Sequence, residues 1–192
     1  GALMYGGLSA AQEKALEPFV RGRVVTDLGA GDCTLARKVK RMGASKVIAV
    51  DKETVISGAV IGRGKDMVVC ERRTFAEYSE PIDVMLLSWP VNWFCPGLVA
   101  ACERARIVIY LGNTMGGIMC GSLDLWEHLI GRQYLAVYPN RHNTLIVYGP
   151  PSKGRRLLLP EELAAFDTET IHDYVDRPPF PPELGSLLAA SV

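Results

Sequence analysis

The sequence is poor in features that would assign it to a membrane, a metal centre or an oxidising compartment. No apolar run approaches the roughly 18 residues that span a bilayer, so no membrane segment is expected. The N-terminus has neither a basic start nor an apolar h-region, which argues against secretion. Gly1-Ala2-Leu3, ahead of Met4, are set aside from the fold. There are only five cysteines, Cys33, Cys70, Cys95, Cys102 and Cys120, and no C-x-x-C. That excludes a disulfide framework and points to a reducing, cytoplasmic setting. The three histidines, His128, His142 and His172, lack ligand spacing, so no metal is expected. No charge sign dominates: 21 Lys+Arg balance 21 Asp+Glu. The chain as a whole is therefore not drawn to nucleic acid or an anionic surface, although a local basic patch stays open.

What is present is an ordinary globular balance, 48% hydrophobic and 22% charged over 192 residues. This fits one domain with extensions. Residues 1–22 read as an N-terminal helical segment. Ser9-Ala10-Ala11-Gln12 has the form of a capping box, Ala11, Ala15 and Leu16 offer an apolar face, and Pro18 should end or kink the helix. From residue 23 to 150, apolar strands alternate with helices. The strands are Val24-Val25-Thr26, Val47-Ile48-Ala49-Val50, Met67-Val68-Val69, Ile82 to Leu87 and Ile107 to Leu111. Near-continuous apolar strands of this kind form a parallel sheet covered by helices on both faces. One such helix carries Leu35, Ala36, Val39 and Met42 on one side and Arg37, Lys38, Lys40 and Arg41 on the other, and stops at Gly43. Two further strands, Tyr134 to Tyr138 and Thr144 to Tyr148, are linked too tightly for a crossover and should pair antiparallel. The expected architecture is α/β: seven strands, mostly parallel, with a C-terminal antiparallel pair. Residues 151–192 form an extension with 4 Lys/Arg against 7 Asp/Glu, a possible helix over 160–174 and a proline-rich end.

The informative segment is Val24-Val25-Thr26-Asp27-Leu28-Gly29-Ala30-Gly31-Asp32-Cys33. A strand that enters a glycine turn and then a helix sets backbone N–H groups around a ligand at the sheet's C-terminal edge. Asp51 ends the next strand, where a carboxylate accepts ribose hydroxyls. These residues predict a nucleoside-containing cofactor. The dinucleotide pattern G-x-G-x-x-G fails at Thr34, and no P-loop is present. Asp27 also disfavours a pyrophosphate and suits a cationic ligand.

The segment resembles motif I of the class I, Rossmann-like S-adenosylmethionine-dependent methyltransferases, and the resemblance covers residues 24–148 as a succession of strands and helices, with the closing antiparallel pair. The resemblance implies S-adenosylmethionine as cofactor. It implies that Asp27 serves the methionine amino group, that Gly29, Ala30 and Gly31 allow close backbone approach, and that Cys33 stands at a frequent glycine position. It further implies that Asp51 holds the ribose, that Lys52 and Glu71 flank the adenine, and that Tyr5 folds over the methionine end. Arg72 and Arg73 read as a solvated basic edge. Ser88-Trp89-Pro90-Val91-Asn92-Trp93 partly resembles the motif with which amino-methylating enzymes grip a planar nitrogen. Ser88, Trp89, Pro90, Asn92 and Trp93 are the expected substrate-side residues. Residues 112–122, with four glycines and two methionines, read as an adaptable loop. The methyl acceptor is not named by the sequence: a small molecule, a protein side chain or a nucleobase amine all fit, nucleic acid being open but not favoured. A binding protein that keeps the cofactor site without turnover is the alternative, and a nicotinamide oxidoreductase a more distant one. The oligomeric state is not read.

Overall fold

A computed structural model describes residues 7–52, 60–61, 64–113, 120–129, 131–139 and 143–151. The first helix, α1 (Ala10–Val20), begins on the capping box: Gln12 N–H donates to the Ser9 hydroxyl at 3.1 Å, and Ser9 N–H to the Gln12 side chain at 3.0 Å. Its buried face is Gln12, Leu16 and Val20; Ala11 is exposed. The apolar face therefore lies one position round from the expected one, because the bonds to Ser9 let the Gln12 amide be buried. Pro18 does not end the helix. It stands in the last turn with its ring on the exposed side, and the helix runs on through Val20 before Arg21 N–H closes the end on Glu17 O at 2.9 Å.

The strands follow as β1 (Val24–Leu28), β2 (Lys46–Asp51), β3 (Val60–Ile61), β4 (Val68–Arg72), β5 (Ile82–Ser88), β6 (Ala105–Gly112), β7 (Arg132–Pro139) and β8 (Thr144–Pro151). Helices α2 (Thr34–Arg41), α3 (Leu98–Arg104) and α4 (Leu123–Leu129) alternate with them. The sheet order is β3-β4-β2-β1-β5-β6-β8-β7. β1 pairs in parallel with β2 and with β5, and β2 with β4. The seven expected strands are joined by one the sequence does not announce. Val60–Ile61 pairs antiparallel with Ile61 opposite Val68, and two residues are too few for a periodic signal. β7 and β8 form the expected antiparallel pair.

The chain divides into two compact units, one of Gly7–Ser88 and Cys95–Ile109, the other of Trp89–Phe94 and the described residues from Tyr110 onward. In the first unit, Val25 to Leu28, Ala49, Val50 and Val84 to Leu87 are buried, which is why these strands read as unbroken apolar runs. α2 covers them with Ala36 and Val39. Its basic residues are engaged: Arg41 pairs with Asp66 at 2.7 Å, Lys38 with Glu13, and Lys40 donates to Ala44 O at 2.8 Å. Residues 73–81, between β4 and β5, form a bonded turn without a helix. In the second unit, Arg132 of β7 is fully buried and donates through Nε to Gly149 O on β8 at 2.7 Å. Tyr110 and Trp126 pack with ring centroids 4.9 Å apart.

Tyr5, the middle of the 112–122 loop and the extension beyond Pro151 lie outside the described residues. Among the described residues, no helix is long and apolar enough to cross a membrane, and no three His, Cys, Asp or Glu side chains gather as a metal site.

Candidate cofactor site

β1 lies at the point where the strand order reverses: β2 and β4 follow on one side of it and β5 on the other. In open α/β sheets the crevice beyond the strand ends at this point takes the ligand. Here those ends carry the glycine turn, Asp51, Glu71 and Ser88.

The turn is tied to β2 by backbone bonds. Gly29 N–H and Ala30 N–H both donate to Val50 O, at 2.8 and 3.1 Å. Cys33 N–H returns to Ala30 O at 2.9 Å. Gly29 and Gly31 hold φ of +77° and +56°, the left-handed region that suits glycine. Gly31 N–H donates to Asp51 Oδ2 at 2.9 Å, so the two halves of the expected motif meet directly. Asp32, one residue ahead of the N-cap Cys33, accepts from Thr34 N–H at 3.0 Å just before α2.

Asp27 is fully buried, and neither carboxylate oxygen has a hydrogen-bond partner among the described residues. Burial first, then the charges of Asp51 and Asp32, push its carboxyl up to about 7. A buried, unpartnered carboxylate is costly, and a cation brought to it removes the cost.

The space at the two glycines differs. Among the described residues, a Cβ on Gly31 would meet nothing within 4 Å, whereas one on Gly29 would stand 3.6 Å from the ring of Phe75. Cys33 turns its thiol inward; the group is buried, and burial, then Cys70, push it up to about 12. It is a neutral packing group, and its backbone is what it contributes to the turn. Lys52 is exposed just past β2, and its carbonyl accepts from Arg72 Nε at 3.1 Å. Glu71 is half-buried and pairs with Arg73 at 3.1 Å. Arg73 is no solvated edge: it also binds Glu80 at 2.6 Å and Glu77 O at 2.6 Å, and lies 4.8 Å from the Tyr78 ring centroid. The expectation failed because the acidic partners at 77 and 80 reach back across a turn that periodicity does not reveal.

Ser88 ends β5 partly exposed. In the second unit, Trp89 takes φ +50°, uncommon for a bulky residue, while its N–H donates to Leu111 O at 2.6 Å. Pro90 is buried. Asn92 Oδ1 accepts from Gly121 N–H at 3.2 Å. Trp93 and Phe94 are 69% and 67% exposed. Cys120 N–H donates to Asn113 O at 2.9 Å, and burial pushes the Cys120 thiol up, away from a nucleophile's range. Phe75 and Phe94 were missed by sequence reading; for Phe94, the aromatic pair next to Trp93 was the available signal.

No family model matches the chain, and none of the curated proteins matches it by sequence. Solved structures do match in fold. A Thermoplasma acidophilum protein superposes with TM-score 0.52 at 16% identity, over 74% of this chain and 85% of its own. The S-adenosylmethionine-dependent methyltransferase SibL, in its apo form, gives 0.51 at 12% identity, over 74% of this chain and 55% of its own. Magnesium protoporphyrin IX methyltransferase of Synechocystis, with S-adenosylmethionine bound, gives 0.50 at 12% identity, over 73% and 75%. Identities this low speak for the fold alone. The chain has the Rossmann-like fold of the class I S-adenosylmethionine-dependent methyltransferases.

Proposed function

We propose that this chain is a methyltransferase that binds S-adenosylmethionine on Asp27, the Gly29-Ala30-Gly31 turn and Asp51, with Cys33, Lys52, Glu71 and Tyr5 as flanking residues. The observation that carries the reading is Asp27: a buried carboxylate without a partner among the described residues, beside a glycine turn already bonded to Asp51. The residues fit the cofactor. Its ammonium group supplies the charge Asp27 lacks, the open space at Gly31 admits its bulk, and Asp51 stands where ribose hydroxyls are held. When bound, the cofactor supplies a methyl group on a sulfonium.

The protein's part is alignment and exclusion of water. Asp27 would give up its proton to solvent and hold the cation; Asp51, oriented by Gly31 N–H, would fix the sugar. For the acceptor we propose Ser88, Trp89, Pro90, Asn92 and Trp93, the segment that directly follows β5. Ser88 and Asn92 offer polar groups and the tryptophans flat faces. The acceptor stays at the level of small molecule, protein side chain or nucleobase amine. The engaged cations of α2 and Arg73 give nucleic acid no added support. We place its action in the cytoplasm on the five scattered cysteines, none of them in a disulfide.

Release of S-adenosylhomocysteine from candidate acceptors tests the activity: turnover lost in Asp51→Ala supports the reading, and cofactor binding with no turnover on any acceptor class supports a non-catalytic partner. That second reading has an observation of its own, the adjacent exposed rings of Trp93 and Phe94, which suit a protein surface.

A further inference from the structure

The turn between β4 and β5 is held far more firmly than a surface loop needs for its own sake. Thr74 N–H donates to the Glu77 carboxylate at 2.6 Å, and Glu77 N–H returns to the Thr74 hydroxyl at 3.3 Å. Arg73 ties the same turn to Glu71, to Glu80 and to Glu77 O. Arg104 of α3 reaches Tyr78 O and the carbonyl of Ala100. From below, Gly97 comes so close that a Cβ there would stand 2.5 Å from Ala76 N and Cα and 2.8 Å from Phe75 C. Ordering a loop this way costs conformational entropy, which asks for a return elsewhere.

What the bracing fixes is the position of one ring. Phe75 is half-buried, with Cζ 3.6 Å and Cε1 4.0 Å from the place of a Gly29 Cβ. The ring thus covers one glycine of the turn, while the space at Gly31 stays open and Asp51 stands bonded to Gly31 N–H. We propose that Phe75 is a cofactor-positioning residue: a fixed apolar wall beside Gly29 on which the flat nucleoside base of the cofactor rests. This rests on the reading that S-adenosylmethionine binds at the glycine turn. An aromatic face suits a base because every base has a π-face, and loss of such a ring weakens binding by about tenfold or more.

The test is calorimetric titration with S-adenosylhomocysteine and with 5′-methylthioadenosine, which keeps the nucleoside and lacks the amino-acid end. Wild type, Phe75→Leu, Phe75→Ala and Phe75→Tyr are compared, with thermal unfolding of each recorded without ligand. Phe75→Leu and Phe75→Ala are expected to weaken both ligands by about tenfold or more, and Phe75→Tyr to restore them. Phe75→Leu separates the roles, since it still packs on Gly29 but offers no flat face; should Phe75→Ala fail to fold, the Leu and Tyr variants decide. Wild-type affinity in Phe75→Leu reduces Phe75 to packing and overturns the inference while the cofactor reading stands. Failure of the wild type to bind either ligand overturns the cofactor reading itself, and the role of Phe75 with it.

Discussion

Asp27 and Trp93 lie at opposite extremes of exposure, 0% and 69%. Asp27 belongs to a region made of backbone constraints: a buried strand, left-handed glycines and N–H groups already aimed at Val50 and Asp51. Trp93 belongs to a region of exposed rings, with Asn92 bonded to Gly121 and Trp89 to Leu111. The first kind of region admits few residue types at each position and so has a recognisable pattern. The second can change its side chains without disturbing a strand, which is why it identifies no acceptor.

The comparison breaks most sharply at Asp27. A carboxyl moved from 3.8 to about 7 corresponds to about 4 kcal/mol against its ionised form. Because the folded value is the raised one, stability from this group is full below pH 4 or so and is lost as pH rises towards about 7. Asp27→Asn is therefore expected to stabilise the ligand-free protein at about pH 8, by up to roughly 4 kcal/mol in denaturant unfolding, and to weaken cofactor binding. Destabilisation at that pH would mean that the carboxylate has a partner in the folded protein.

The exposed region should show the reverse. Trp93→Ala or Asn92→Ala is expected to cut turnover by about a hundredfold, the effect of misplacing a reactant, with cofactor affinity unchanged by calorimetry. Full activity in both variants would remove the 88–93 segment from the site. Asp51→Ala sharpens the cofactor side alone: affinity for S-adenosylmethionine is expected to fall by about 1.5–3 kcal/mol, the scale of charge-assisted hydrogen bonds. The smallest effect is predicted for the Arg73 network. Arg73→Ala is expected to lower unfolding stability by about 1 kcal/mol or less, and to do so less at high salt, since its acidic partners are partly exposed.

The regular part of the fold was legible because its signals are local. Strand runs, the Ser9–Gln12 box and the Gly43 stop each announce one element, and all stand where expected. Asp27, the glycines and Asp51 were legible for the same reason, their spacing being fixed by strand, turn and helix. What stayed hidden depends on contacts across the chain. Phe75 touches Gly29 from 46 residues away. Arg73 is neutralised by a turn rather than exposed, and Arg132 is buried against Gly149 despite its charge. Val60–Ile61 pairs as a strand only because β4 offers an edge. Residue type alone carries none of this.

The central claim is that Asp27, buried and without a partner among the described residues, waits for the cationic end of S-adenosylmethionine. Titration calorimetry in two buffers of different ionisation enthalpy tests it most directly, at about pH 6 and about pH 9, since binding that draws Asp27 into its ionised form must release a proton only where the free protein holds one. The account predicts one-to-one binding, with release approaching one proton per cofactor at the lower pH, no release at the higher, where the cofactor's amine instead takes up a proton as it meets the Asp27 carboxylate, and no release at either in Asp27→Asn. Binding without proton release at the lower pH, or no binding by the wild type at all, would contradict it.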